Sequence, residues 1–428
     1  MSVPLDKLYD FLDSEVEQDL IIYRWMPHGS RKLEDLQPLQ DYHDFQALYT
    51  TPMAIFHDQE PLNYELYDLD SLLDAYHYYQ PTSQFKLNFD KCDQPLMDLL
   101  WDMHVRGVGT TAFANLYDQT ILVHSELHSS QVHKWQRHNY LPVYYWSHAV
   151  IAQDWFRYAE HDPVLKQRNP SKDFLIYNRA WSGSREYRLK FTEMLLEHDL
   201  DQNSLISFSP WCDNTHYTQH EFVNSDFVIN NHSLHTQLNP CFAPSASSAD
   251  YCAEDYVRTK FEVVLETLFD DQRWHLTEKT LRPIACGQPF LLLATPGSLE
   301  YLRSYGFETF ADFWDESYDT IVDPLARMQA VIKVMQDLAN HARSDEWSTR
   351  LSAVCAHNRA RFFSEDFFNQ VLSEYRTNMN HALQEIAQHR SGEFFRRMLR
   401  YLHTNQHDIW SNFMTRDQCA TLWRHLRS

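Results

Sequence analysis

His275-Leu-Thr-Glu-Lys-Thr-Leu-Arg-Pro-Ile-Ala-Cys-Gly-Gln-Pro-Phe-Leu-Leu-Leu-Ala294 is the stretch on which the reading of this chain turns. Thr277 is a good helix N-cap, because its hydroxyl can accept a backbone N–H that the first turn leaves unbonded. A helix is therefore predicted over Thr277–Cys286, with Glu278 and Lys279 in its first turn. Pro289–Ala294 is a short continuous apolar run, which predicts a strand buried on both faces. The same alternation extends in both directions. Upstream, strands are predicted at Phe174–Tyr177, Leu205–Phe208 and Phe261–Leu265. The first is followed by a loop over Asn178–Ser184 and a helix over Arg185–His198. Downstream, Ser298–Ser304 reads as a helix closed by Gly306. Strands alternating with helices predict a parallel sheet with crossovers.

The first half carries apolar runs that end in polar clusters. Met53–Phe56 precedes His57-Asp-Gln-Glu60, and Thr120–Val123 precedes His124-Ser-Glu126. Each predicts a buried strand delivering polar residues at its carboxyl end. Helices are predicted at Pro95–His104 and Trp146–Glu160, the latter with Ile151, Trp155 and Tyr158 on one face. Asp-Pro and Asn-Pro steps between Asp162 and Asp173 break the apolar pattern and mark a boundary. The expected organisation is an acceptor-side domain over residues 1–165, a nucleotide-binding domain over 166–323 and a helical tail over 324–428. Within the tail, helices are predicted at Leu325–Ala339, Glu346–Arg361 and Glu365 to about Arg400. A tail of that size could pack back across both domains.

Composition narrows the function classes. The chain has 428 residues, enough for two cores, and 37 basic against 59 acidic residues give a net charge of −22. That balance argues against a surface that simply coats nucleic acid. Acidic residues crowd the first hundred positions, whereas residues 391–428 hold six arginines against Glu393, Asp408 and Asp417. A solvated amphipathic helix or a local basic contact would both account for that segment. No run approaches the ~18 apolar residues of a membrane span. The acidic start lacks the layout of a secretion signal, and seven scattered cysteines fit reduced thiols. A cytoplasmic location is expected. The absence of G-x-G-x-x-G and of a P-loop motif sets aside dinucleotide dehydrogenases and P-loop enzymes.

Phosphate can still be held where a helix begins, because free N–H groups and the helix dipole favour an anion there. Ser182-Gly-Ser-Arg185 and Thr277-Glu-Lys279 each add a cation to such a position. A carboxylate at Glu278 could accept from vicinal ribose hydroxyls while Lys279 neutralises a diphosphate. A capped helix with a solvated glutamate and lysine would leave the same pattern. No set of three or four histidines or cysteines marks a metal site, and Asp68-Leu69-Asp70 is expected by chance in so acidic a chain.

The segment from His275 to Phe290 resembles the donor-site segment of fucosyltransferase-type GT-B glycosyltransferases: a T-E-K stretch, a short helix, then G-x-P and an apolar strand. The continuation Leu299-Glu-Tyr-Leu-Arg303, Gly306-Phe307 and Phe313-Trp-Asp-Glu316 resembles glycosyltransferase-like proteins of large tailed bacteriophages. So do His57-Asp-Gln-Glu-Pro-Leu62, Trp146-Ser-His148, Asp154-Trp-Phe-Arg157, and Tyr177-Asn-Arg179 with Arg185 and Arg188. The resemblance spans roughly residues 50–320 and departs widely from the fucosyltransferase pattern in the first half, so neither fucose nor guanine carries over. It implies a GT-B fold, with two Rossmann-like domains facing across a cleft. It also implies a UDP- or GDP-linked sugar donor, with no other cofactor. Glu278 would meet the ribose and Lys279 the phosphates; Arg179, Arg185 and, more weakly, Glu266 would make further contacts around Thr277.

The resemblance further implies a group from the first domain that takes the acceptor hydroxyl's proton, if transfer inverts the sugar; a retaining enzyme would need no such base. Asp58 is the first choice, then Glu60, with His57, His124 and Glu126 also well placed. A capped turn closed by Pro61 is the structural alternative. The phage-like resemblance points to 5-hydroxymethylcytosine in duplex DNA as acceptor. A glycan or lipopolysaccharide transferase, and a non-catalytic binding module with this fold, are the rivals.

Overall fold

The computed structural model describes residues 11–12, 14–16, 20–25, 52–57, 61–62, 119–129, 143–212, 214–238 and 248–389. The predicted helix at Pro95–His104, Asp58, Glu60, the D-x-D and the arginine-rich carboxyl end lie outside these residues.

Two parallel four-stranded sheets organise the chain. The first runs β1 (Ile21–Trp25), β2 (Met53–His57), β3 (Thr120–His124) and β4 (Val143–Tyr145), in that spatial order. Met53–Phe56 and Thr120–Val123 are fully buried, as expected of strands sandwiched in a parallel sheet. Their register sets His57 beside His124 and His124 beside Tyr145, so the polar residues that follow β3 and β4 emerge along one edge.

In the second sheet, β5 (Lys172–Asn178) and β6 (Ser204–Phe208) are followed by β7 (Thr259–Leu265) and β8 (Phe290–Leu293), in the order β8-β7-β5-β6. The chain therefore reverses direction between β5 and β7. In an open α/β sheet this is where loops at the carboxyl ends diverge and leave a crevice.

Helices α1 (Ala149–Trp155), α2 (Tyr187–Glu197), α3 (Ala253–Arg258), α4 (Glu278–Cys286) and α5 (Ser298–Ser304) cover the sheets. The expected Trp146–Glu160 helix is shorter. It ends at Trp155 and tightens into a 3-10 turn over Arg157–His161. Three residues per turn instead of 3.6 rotates Tyr158 off the apolar stripe. Tyr158 is 68% exposed, whereas Ile151 and Trp155 are buried.

The tail comprises α6 (Pro324–Asn340), α7 (Asp345–Phe362) and α8 (Glu365–His389). Asp323 and Ser344 cap α6 and α7 by accepting the N–H of Ala326 and Trp347. α6 packs on the second sheet, α7 on α4, and α8 returns to β3, β4 and α1. On α8, Phe367, Val371, Tyr375, Met379 and Ala382 form a buried stripe at helical spacing. Tyr375 Oη donates to the Leu12 carbonyl at 3.1 Å, and Asn378 Nδ2 to that of Tyr145 at 2.7 Å. The chain thus has the expected α/β, GT-B-like layout: two Rossmann-like sheets and a helical tail that spans both.

Candidate functional site

The switch point of the second sheet is lined by the loop after β5 and the loop after β7. Arg188 of α2 fixes them together. Its guanidinium donates to the carbonyls of Ala180 (2.6 Å), Leu265 (2.7 Å) and Glu266 (2.9 Å). Burial lowers its pKa, and the nearby Arg185 charge lowers it further. Ser184 Oγ donates to the Thr267 carbonyl at 2.9 Å, and Tyr187 Oη to that of Glu266 at 2.7 Å. Arg179 and Arg185 are both half-buried on this loop. Gly183, between them, has φ +60° and open space where a Cβ would stand.

Glu266 builds the start of α4 from beneath. It is fully buried, and its carboxylate accepts from Thr277 N (2.9 Å), Thr277 Oγ1 (2.8 Å), Thr280 Oγ1 (2.6 Å) and Thr267 N (3.1 Å). Four donors satisfy a carboxylate that is buried away from solvent. Its oxygens are thus engaged inside the protein, and its geometry is that of a brace. Thr277 is the predicted N-cap and accepts from Lys279 N at 3.3 Å. Lys279 Nζ lies 2.7 Å from Glu278 Oε1 and 3.3 Å from Thr277 Oγ1. The Lys279 side chain is 22% exposed against 4% for that of Glu278, so the cation is the open member of the pair.

The two sheets meet along their carboxyl edges. Leu127, after β3, forms an antiparallel bridge with Trp274 in the loop leading to α4. Arg273 Nη1 lies 3.1 Å from both oxygens of Glu126, and its other nitrogens hold Asp271 at 2.6–3.0 Å. Glu126 also accepts from Leu62 N (2.5 Å) and Ser129 Oγ (3.0 Å), and Arg273 donates to the Leu62 carbonyl at 3.0 Å. This expected base candidate is therefore engaged in a buried cross-sheet ion pair. His275 Nδ1 is 3.1 Å from the Ser125 carbonyl, and His148 Nε2 is 3.9 Å from Glu278 Oε2.

No family model matches this chain, and no curated protein matches its sequence. Among solved structures, it is similar to the crystal structure of an alpha,alpha-trehalose 6-phosphate synthase from Burkholderia multivorans. The TM-score is 0.33 and the identity 15%, covering 86% of this chain and 72% of that one.

Of the residues named from sequence, Thr277, Glu278, Lys279 and Glu266 form one hydrogen-bonded group. Arg179 and Arg185 stand on the adjoining loop, which Ser184 ties to Thr267. His57 ends β2 at the carboxyl edge; its side chain lies outside the described residues, as do Asp58 and Glu60. His124 is buried, its Nδ1 accepting from Glu126 N at 3.3 Å. Among the described residues no three histidines, cysteines or carboxylates gather as metal ligands. No described helix is long and apolar enough to cross a membrane. Sequence reasoning misses Arg273 and His275, although both precede the T-E-K stretch and a polar pair before a helix start is the available signal.

Proposed function

We propose that this chain is a glycosyltransferase that takes a sugar from a UDP- or GDP-linked donor. The observation that carries the reading is Lys279. It is a partly exposed cation in the first turn of α4, beside a buried carboxylate, at the sheet's switch point. When the glycosyl bond breaks, negative charge grows on the diphosphate. A lysine and the N–H groups of a helix start stabilise that charge. Arg179 and Arg185, on the neighbouring loop, would take the remaining phosphate oxygens, and Glu278 the ribose.

The proposed acceptor is 5-hydroxymethylcytosine in duplex DNA, with the base turned out into the seam between the sheets. A glycan acceptor is the second reading, favoured by the net charge of −22, which repels a polyanion. A binding module without turnover would bind donor and transfer nothing.

Calorimetry with UDP, GDP and their common sugars tests the donor. Lys279→Ala should weaken binding more than ~10-fold, since charge-assisted contacts contribute about 1.5–3 kcal/mol. Unchanged affinity in that variant would reject the assignment. A hydroxymethylated duplex incubated with donor should gain the mass of a sugar. Transfer to lipopolysaccharide or an oligosaccharide instead would select the glycan reading.

A further inference from the structure

The seam holds two imidazoles that the donor site leaves unused. His148 follows β4 at the carboxyl edge of the first sheet and is 1% exposed. Its Nε2 is 3.9 Å from Glu278 Oε2, so a side chain of the first half reaches the T-E-K stretch. His275, 1% exposed, lies opposite, the two rings meeting edge to face with centroids 6.3 Å apart. The Nδ1 of His275 is taken by the Ser125 carbonyl, and its Nε2 is buried without a hydrogen-bond partner among the described residues. A buried polar atom left in this way costs stability. Because Nδ1 donates to a carbonyl, Nε2 is an acceptor, and its place in a polar seam marks a position where a donating hydroxyl would be bound.

We propose that His148 is the group that takes the acceptor's proton, and that His275 orients the incoming molecule. The proposal rests on the donor reading above. The acceptor O–H gives its proton to His148 Nε2, and its oxygen bonds to the anomeric carbon. The bond from that carbon to the diphosphate oxygen breaks, and the electron pair leaves with the diphosphate toward Lys279. Glu278 then faces the imidazolium that has formed. Displacement from the opposite side inverts the anomeric configuration. Titratable groups that face the ring include Glu278, whose other oxygen holds Lys279, and His275. Asp154, on the same helix as His148, is tied to Arg157 at 2.8 Å.

The test uses the full-length chain with a hydroxymethylated duplex, an oligosaccharide and water as acceptors, and a UDP- or GDP-sugar as donor. His148→Gln and His148→Asn should lower turnover about 100-fold or more, in line with a lost general base. Calorimetric affinity for UDP or GDP should stay within about threefold, and added imidazole should partly restore transfer by His148→Ala. Wild-type turnover should fall on the acid side and slow in D2O. Turnover retained within threefold in both variants, or a retained anomeric configuration, overturns the proposal while leaving the donor reading intact. Should the variants fail to fold, a wild-type rate flat with pH and unaffected by D2O overturns it equally. Absence of nucleotide binding by the wild type would instead sink the donor reading, and this proposal with it.

Discussion

Single residues in this chain are tuned by what buries them, and Asp319 shows it most clearly. Its side chain accepts the Leu299 N–H at 3.2 Å, at the start of α5, and is only 7% exposed. Burial pushes its carboxyl up to about 7. An unfolded aspartate titrates near ~3.9. Between those values the folded protein holds a proton that the unfolded chain has released. Stability from this group is therefore full below about pH 4 and is lost as pH rises toward about 7. Asp319→Asn keeps the acceptor and removes the ionisation. The variant should gain on wild type as urea unfolding midpoints are compared from pH 4.5 to pH 8. A difference that stays constant over that range would show that Asp319 does not ionise in this window.

Among the elements, α4 draws most on residues distant in sequence. Glu266 precedes Thr277 by eleven positions, yet it supplies four acceptor contacts to the loop and first turn. Glu266→Ala should cost at least about 3 kcal/mol in denaturant unfolding, because several buried donors lose their partner together. It should also weaken nucleotide binding by disordering the helix start. Full stability in that variant would mean that α4 begins without the brace. The sequence made α4 and β8 legible, since a capping threonine and a run of leucines are local signals. It also placed β2 and β3, whose apolar runs end in polar clusters. β4 has three residues and no room to show a period, and it escaped notice. Glu266 was foreseen as a ligand contact, but a buried glutamate and a binding glutamate look the same until their neighbours are known.

For the molecule as a whole, the seam between the sheets is the unit that sequence could not show. Glu126 and Arg273 stand 147 positions apart, and no periodicity links two polar residues in loops. Their side chains are 1% and 11% exposed, so removing one leaves an uncompensated buried charge. Arg273→Met should destabilise by roughly 3–5 kcal/mol, and adding Glu126→Gln should recover part of that loss. A double-mutant cycle with no coupling would show that the sheets are held by their other contacts, the Leu127–Trp274 bridge and the packing of His128 against Trp274. Two sheets and the helix-start motif could thus be read from local pattern. The polar seam that turns them into one site could not.

The return of α8 to β3 and β4 bears on how the protein is made. A ribosome releases β4 some 220 residues before α8, so the amino-terminal sheet must wait for its cover throughout that interval. Contacts of such long range form slowly, and apolar strands left bare in the meantime invite association with other nascent chains. Yield in cells should therefore depend on chaperone supply and growth temperature, and truncation before Glu365 should leave an aggregating product.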